Sequence, residues 1–376
     1  AILNFIRSHV PLNAKQQSVV RRSLHHILCS ETTAIGDQGL IYVGGEGGVG
    51  KSQIVKAIRF VMRALKREHE LILMAPTGAA ADNIKGNTYH TCLGIRPKSN
   101  SESGIGKKNN KRLDLIWRNK TVMILDEVSM VDMASLHDIH YAIQNIRRIS
   151  PSSAQLFGGL RLVLFMGDFF QFPPVHGLPL WKSPAPDNEA QKEGWALWRK
   201  FKDVIILDEQ MRQENDPGFR DMLRRARSGT LTDRDVEVLS HKVVSDLSQV
   251  SLEESTTVVR SNNLRHHVNR LRLENFARRR NQKIIVFPAH HSRTMSKEPS
   301  ANHLRMEQLL ETPDNCSKCP SAGLFFYTTG MPVMLLANIC STIGHVNGAM
   351  GTAQGFILQP EGKKHYCPLH LIPSTN

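Results

Sequence analysis

Cysteine is scarce in this chain of 376 residues: there are six, and four of them are widely scattered. Such spacing does not build a disulfide framework in a chain of this length, so we expect a reducing compartment. No apolar run approaches the ~20 residues needed to cross a bilayer. The opening residues AILNFIRSHVPLNAKQQ lack the apolar core of a signal peptide, which argues against secretion. The 17 histidines contain no H-E-x-x-H motif, so metalloprotease chemistry has no support.

Acidic residues are also in deficit. The chain has 34 Asp and Glu against 48 Lys and Arg, a formal net charge of +14. This surplus favours a polyanionic partner, either a nucleic acid or an acidic membrane surface. At 40% hydrophobic residues the chain is too apolar to be disordered and long enough for two domains.

Apolar runs separated by helical or loop segments dominate the first 210 residues. The helix after the first run is well marked, because apolar residues recur at steps of three and four over 54–65. Strands that alternate with helices predict an α/β fold with a parallel sheet. The predicted strands are LIYVGG (40–45), LILMAP (71–76), TVMILDE (121–127), RLVLFMGD (161–168) and VIILDE (204–209).

A second α/β unit is predicted from about residue 230. It would contain the strand TTVVR, a helix from 262 to about 280 and the strand KIIVFPA. The last stretch, from FFYTTGMPVMLL onward, alternates β-forming residues with glycine and Asn-Gly turn signals, which predicts small antiparallel strands.

The strongest chemical signal is GEGGVGKS, which matches G-x-x-x-x-G-K-[ST] between a predicted strand and a predicted helix. Glycines let backbone N–H groups surround phosphate oxygens, and the helix N-terminus adds partial positive charge. The lysine would reach the β- and γ-phosphates, and the serine hydroxyl would bind Mg²⁺. The predicted nucleotide-binding residues are Gly45, Glu46, Gly47, Gly48, Val49, Gly50, Lys51 and Ser52.

An acidic pair ends the predicted strand VMIL. Asp126 would hold Mg²⁺ through water, and Glu127 would polarise the water that attacks the γ-phosphate. The signal is weak alone, since LDE recurs at 207–209. Together with the glycine-rich loop it predicts hydrolysis of a nucleoside triphosphate.

Two further polar residues follow predicted strands. Gln171 lies just past RLVLFMGD, where an amide would sense the γ-phosphate, and Arg212 follows VIILDE, where it would act as an arginine finger in the same chain. The alternatives are a loop amide for Gln171 and a surface ion pair for Arg212.

An ordered set of segments resembles the superfamily 1B DNA helicases of the petite-integration-frequency (PIF) family, relatives of RecD. The resemblance extends from about 12 to 358. It is carried by GGEGGVGKS, APTGAAA (75–81), TYH (88–90), ILDEVSMVD (124–132), FGGLRLVLFMGDFFQFPPV (157–175), LDEQMRQ (207–213), GMPVMLLAN (330–338) and VNGAMGTA (346–353).

The resemblance implies ATP-driven 5′-to-3′ translocation on single-stranded DNA, with duplex unwinding at single-strand/double-strand junctions and no membrane partner. LNAKQQ is similar to the family's Q motif, which implies that Gln16 reads adenine and that Mg²⁺ with ATP is the substrate. The residues that the resemblance places on DNA are Thr77, Thr88, His90, Ser261 and Asn262.

The same resemblance implies two RecA-like lobes of the P-loop NTPase fold. We expect the first lobe at 1–229 with a basic insertion at 96–120, a partial second lobe at 230–330, and the start of a small β-rich, SH3-like insertion at 331–376. Roles in DNA repair, recombination or telomere and genome maintenance are implied. So is a nuclear location, with mitochondria as the alternative.

Two family segments, one like TIHKSQG and one like VALSR, have no counterpart before Asn376. We therefore expect either a fragment or a truncated copy. The alternative function is a mobile-element helicase remnant that binds ATP and DNA without efficient unwinding. An ATPase acting on proteins would leave APTGAAA and FFQFPP unexplained.

Basic and cysteine-rich stretches lie outside these motifs. Residues 96–120 read as a solvated loop or a flap on nucleic acid. The basic stretch 264–283 either belongs to a helix docked by Leu264, Val268 and Leu271 or contacts phosphates. One candidate zinc site pairs two cysteine-containing segments across a 47-residue gap, and its ligands would be Cys316, Cys319, Cys367 and His370.

Overall fold

The computed structural model describes residues 9–28, 38–95, 110–150, 155–213, 215–243, 256–288, 322–336, 339, 345, 348–356 and 371–373. The chain forms two compact units, residues 1–236 and 237–376. Within the described ranges, no helix is both long and apolar enough to cross a membrane. The candidate zinc ligands and residues 96–109 of the basic insertion lie outside these ranges.

A six-stranded sheet with parallel pairings forms the centre of the first unit, as predicted. Its strand order is β3-β2-β4-β5-β1-β6. The strands are β1 (Gly39–Gly45), β2 (Leu71–Ala75), β3 (Asn87–Thr88), β4 (Val122–Leu125), β5 (Leu162–Gly167) and β6 (Asp203–Leu207).

Helices cover both faces of this sheet, which explains why β2, β4 and β5 are apolar at every position. One face packs on Val19, Ile54 and Ile58, and the other packs on Leu136 and Phe157. The helices of this unit are α1 (Ala14–Leu28), α2 (Lys51–Ala64), α3 (Gly78–Asn83), α4 (Tyr89–Leu93), α5 (Asn110–Trp117), α6 (Met133–Ile146), α7 (Glu189–Trp198), α8 (Pro217–Ser228) and α9 (Asp233–Ser240), whose last residues enter the second unit.

The apolar stripe predicted for α2 is confirmed up to its end. Ile54, Ile58, Val61 and Met62 are buried, and each such side chain contributes about 1.5–3 kcal/mol through removal from water. Leu65 is the C-cap and is 38% exposed, so the buried stripe ends at Met62.

The interpretation of 96–120 as a loop is wrong at its end, because residues 110–117 form α5. Trp117 is buried and donates its Nε1–H to the carbonyl oxygen of Cys92 at 2.8 Å. The buried aromatic residue thus fixes a helix in a stretch whose composition suggested a solvated loop or a flap on nucleic acid. Cys92 is a buried thiol, and burial raises its pKa to about 12.

The second unit contains α10 (Asn262–Arg279) and small antiparallel sheets, one of β7 and β8 and one of β9, β10 and β11. The predicted strand at 256–260 is wrong, since these residues are described without strand pairing. The assignment of 230–330 to a partial RecA-like lobe stays a prediction. The strands are β7 (Ile285–Pro288), β8 (Leu324–Tyr327), β9 (Pro332–Met334), β10 (Met350–Ala353) and β11 (Leu371–Pro373).

Helix α10 docks by a different face from the predicted one. Leu264 and Leu271 are each 47% exposed, whereas Ala277 is buried. Leu273 and Phe276 pack on the small core around Tyr327. The helix is therefore held by its C-terminal half, because that half carries the aromatic residue that reaches the core.

Candidate nucleotide-binding site

The glycine-rich loop and the acidic pair leave the same edge of the first unit's sheet. The loop connects β1 to α2, and the acidic pair follows β4 directly. Leu125 pairs with Phe165 of β5, and Phe165 pairs with Tyr42 of β1, so the three strands are in register here. Neighbouring strands lie about 4.8 Å apart, which places the two motifs about 10 Å apart at the carboxyl edge.

Two glycines of the loop occupy left-handed backbone conformations. Gly48 has φ +96°, and Gly50, the N-cap of α2, has φ +81°. A Cβ at Gly48 would overlap the side chain of Gln210, and one at Gly50 would overlap that of Gln16. Glycine is therefore required at both positions by conformation and by space.

Lys51 closes over its own loop. Its Nζ donates to the carbonyl oxygens of Gly45 at 2.6 Å and Glu46 at 3.1 Å. Burial lowers the pKa of Lys51, and the nearby carboxylates of Glu127 and Asp126 oppose that change. Among the described residues no ion pair is recorded for this ammonium group, so its charge is available to an anion.

Asp126 is a buried carboxyl group that has few hydrogen bonds to compensate for its removal from water. Only 8% of the residue is exposed, and Oδ1 accepts the backbone N–H of Glu127 at 3.0 Å. Burial, followed by repulsion from the Glu127 carboxylate, raises its pKa to about 6. Glu127 itself has φ +52°, a left-handed conformation that costs about 1–3 kcal/mol in a non-glycine residue. The sheet edge thus holds two acids in an arrangement that a bound cation would relieve.

A cavity of about 320 Å³ beside the loop brings together residues that are far apart in sequence. Gln171, which follows β5, and Arg212, which follows β6, both line it, and their contacts with a γ-phosphate stay predictions. The segment after β6 is bound to the loop, because Gln210 Nε2 donates to Gly47 O at 2.7 Å and Met211 N–H donates to Gly48 O at 3.1 Å.

Sequence reasoning missed six residues that line this cavity: Asp168, Gln210, Gln213, Arg220, Leu223 and Arg227. Arg227 donates to both carboxylate oxygens of Asp168, at 2.6 Å and 2.5 Å. Burial is the largest single influence and would raise the pKa of Asp168, but the hydrogen bonds from Arg227 and the Phe170 N–H, together with the charges of Arg227 and Lys51, lower the pKa overall. The Gly-Asp pair after β5 repeats the strand-then-acid pattern of β4 and was a usable signal for Asp168. Arg227 gives no local signal, since it lies 59 residues away.

Gln16 lies under the loop. The residue is 3% exposed, its Oε1 accepts the N–H of Asn13 at 2.9 Å, and its Nε2 donates to Val49 O at 3.1 Å. These contacts make Gln16 a support of the phosphate-binding loop. Its contact with adenine stays a prediction, as does that of the exposed Ser52 with Mg²⁺.

The residues predicted to contact DNA have clear local roles, and their DNA contacts stay predictions. Thr77, Thr88 and Ser261 are N-caps, whose side chains accept the N–H groups of Ala80, Thr91 and Leu264 at 3.2, 3.3 and 3.3 Å. Such caps contribute about 1 kcal/mol each. His90 stacks on Tyr89 with ring centroids 4.0 Å apart, and Asn262 is exposed on the first turn of α10.

Comparison with known proteins gives one family match. The model of the family described as PIF1-like helicase matches residues 11–237, which include the whole candidate site. The "ATP-dependent DNA helicase PIF1" of Saccharomyces cerevisiae (strain YJM789) is 34% identical over 212 residues, 55% of this chain. The matched region is 23% of that relative's length, so this chain spans much less than the whole relative.

Solved structures share the fold. The crystal structure of Pif1 helicase from Candida albicans has a TM-score of 0.61 at 23% identity, covering 96% of this chain and 74% of that one. Pif1 helicase from Bacteroides, in complex with ADP-AlF3 and ssDNA, has a TM-score of 0.58 at 19% identity, covering 96% and 79%. These matches assign the first unit to the RecA-like P-loop architecture.

Proposed function

The chain belongs to the PIF1-like helicase family, and from that premise we propose that it is an ATP-dependent DNA helicase. It would couple hydrolysis of Mg-ATP to 5′-to-3′ movement along single-stranded DNA and to unwinding at junctions. The observation that carries the proposal is the convergence of Lys51, Asp126 and Asp168 at one sheet edge, beside a cavity lined by Gln171 and Arg212.

Each residue of this set has a role in phosphoryl transfer. Lys51 would bind the β- and γ-phosphates, while Ser52 and Asp126 would hold the Mg²⁺ that accompanies ATP as substrate. Glu127 would accept the proton of the attacking water. Gln171 would contact the γ-phosphate, and Arg212 would stabilise the charge that develops on it.

The DNA-binding part of the proposal is supported by the net charge and by membership of the family. The net charge of +14 favours phosphate contacts that weaken as salt rises. Thr77, Thr88 and His90 of the first unit, with Ser261 and Asn262 of the second, would grip the strand. Work in DNA repair, recombination or telomere maintenance, in the nucleus or in mitochondria, follows as part of this proposal.

The first experiment measures ATP hydrolysis by this chain with and without oligo-dT. Wild type should hydrolyse ATP, and DNA should stimulate the reaction. ATP turnover by Lys51→Ala should be at least about 10²-fold lower, because the γ-phosphate loses its contact with the Lys51 ammonium group. Lys56→Ala is the matched control, since Lys56 lies exposed one turn along the same helix. Equal turnover in wild type and Lys51→Ala would refute the site.

Unwinding and direction need a second assay. Duplexes with a 5′ single-stranded tail should be opened and those with a 3′ tail should not. DNA and ATP binding without strand separation would favour the alternative, a helicase remnant. Opening of only the 3′-tailed duplex would overturn the proposed direction.

A further inference from the structure

We propose that Arg227 is a positioning residue that fixes the turn 168–171 and thereby sets Gln171 at the γ-phosphate position. Arg227 acts on the turn through Asp168 and Phe170. The inference rests on the proposed ATPase function for the role of Gln171, and it adds a residue that neither the motifs nor the family match assigns.

The turn is built on Asp168. The residue is 2% exposed, its Oδ1 accepts the N–H of Phe170 at 3.1 Å, and its backbone carbonyl accepts the N–H of Gln171 at 2.9 Å. Any movement of the carboxylate therefore moves the backbone that carries Gln171. The amide of Gln171 lies beside the loop, 3.7 Å from where a Cβ on Gly47 would stand.

Arg227 contacts two residues of this turn. Its guanidinium binds both oxygens of the Asp168 carboxylate, and its Cζ lies 4.4 Å from the centroid of the Phe170 ring. Phe170 is 75% exposed even with this contact, so the guanidinium face is an important support for its ring. A planar fork with five donors makes both contacts together, which a lysine ammonium cannot do.

Helix α8 stays anchored without Arg227. Arg224 donates to Asp208 O at 2.9 Å and lies 3.7 Å from the Glu46 carboxylate. Arg225 binds both oxygens of Asp235 at 2.7 and 2.6 Å. Because Arg224 holds the helix beside the loop and the segment after β6, loss of Arg225 or Arg227 should leave the helix in place, and only loss of Arg227 should disturb the turn.

The matched pair of variants is Arg227→Met and Arg225→Met. Both remove a two-pronged ion pair from α8, but only Arg227 lines the cavity. In Arg227→Met we expect kcat for ATP to fall by about 10²-fold with KM changed less than about threefold, because misplacement of a reacting group by about 1 Å costs that much. Arg225→Met should keep kcat within about twofold of wild type. Arg227→Lys, which keeps the charge, should recover only part of the loss.

Two further readouts separate positioning from a structural or a direct catalytic role. Amide hydrogen exchange at Phe170 and Gln171 should accelerate in Arg227→Met and stay unchanged in Arg225→Met. Adding Arg227→Met to Gln171→Ala should cause little further loss of kcat, because both act through one amide. Multiplied losses, or unchanged exchange in a folded Arg227→Met, would overturn the proposal.

Failure of the proposed function gives a different result. Wild type and Lys51→Ala would then show the same turnover, and the exchange measurement alone would decide whether Arg227 orders the turn. If Arg227→Met does not fold, exchange in Arg227→Lys decides in the same way: acceleration at both amides supports the positioning role, and protection equal to wild type overturns it.

Discussion

Two carboxyl groups at opposite edges of the first unit's sheet differ in the partners that the protein gives them. At the amino edge, Glu70 accepts two hydrogen bonds from Arg67, at 2.5 and 2.9 Å, and one from the Thr121 hydroxyl at 2.5 Å. The guanidinium of Arg67, as the main cause, lowers the pKa of Glu70 to about 2. At the carboxyl edge, burial raises the pKa of Asp126 to about 6. Glu70 is held by a cationic side chain and a hydroxyl group, whereas Asp126 accepts a single backbone N–H.

The basic groups of the two edges do not differ in this way. At the amino edge, Arg147 donates to Gly158 O at 2.5 Å and to Lys120 O at 2.6 Å. Lys120 in turn donates to His69 O at 2.7 Å and Leu71 O at 2.9 Å. At the carboxyl edge, Lys51 likewise donates to two backbone carbonyl oxygens, and burial lowers the pKa of both lysines. The contrast therefore lies in the carboxyl groups: Glu70 is neutralised within the chain, whereas Asp126 and Glu127 are arranged to be neutralised by a ligand.

The substitution with the largest expected effect on this comparison is Glu127→Gln. Without the carboxylate that accepts the water's proton, kcat should fall by about 10²–10⁴-fold while affinity for Mg-ATP is kept. The control is Glu209→Gln, because Glu209 ends the second LDE run and is exposed. Steady-state kinetics and nucleotide titrations check both variants. Normal hydrolysis in Glu127→Gln would remove Glu127 from its role.

Asp126→Asn should make the protein more stable and less active. A carboxyl group whose pKa rises from 3.8 to about 6 destabilises the folded state by up to about 3 kcal/mol above pH 6, and an amide carries no such cost. Urea unfolding at pH 7.5 should show this gain, and ATP turnover should fall together with Mg²⁺ affinity. A less stable Asp126→Asn would mean that the carboxylate has an internal partner, as Glu70 has.

Glu70→Gln should make the protein less stable and leave its activity unchanged, the reverse of Asp126→Asn. Its effect should be the smallest of the three substitutions. We expect a loss of about 1–2 kcal/mol in the free energy of unfolding at pH 7, with unchanged ATP turnover. Because the folded pKa of Glu70 lies below its ordinary 4.5, its contribution is complete above pH 4.5 and disappears as pH falls toward about 2. Stability curves of wild type and variant should therefore converge in acid. Parallel curves would show that Glu70 is not held by its ion pair.

The sequence was sufficient for the parts of the fold that depend on local pattern. Apolar runs located the main strands of the first unit's sheet, and the glycine pattern located the loop before α2, because both signals lie within a few neighbouring residues. Arg227 was missed because its partner is 59 residues away, and α5 was missed because Trp117 packs on a distant carbonyl. The predicted docking face of α10 was wrong because the spacing of apolar residues alone does not show which side of a helix packs on a core.

The most direct test of the ligand-completed edge is calorimetric titration of the chain with Mg-ATPγS. Wild type and Lys56→Ala should bind it with equal affinity, and Lys51→Ala should bind at least about tenfold more weakly because the ammonium charge is gone. Equal affinity in all of these proteins would contradict the claim that the carboxyl edge is completed by a nucleoside triphosphate.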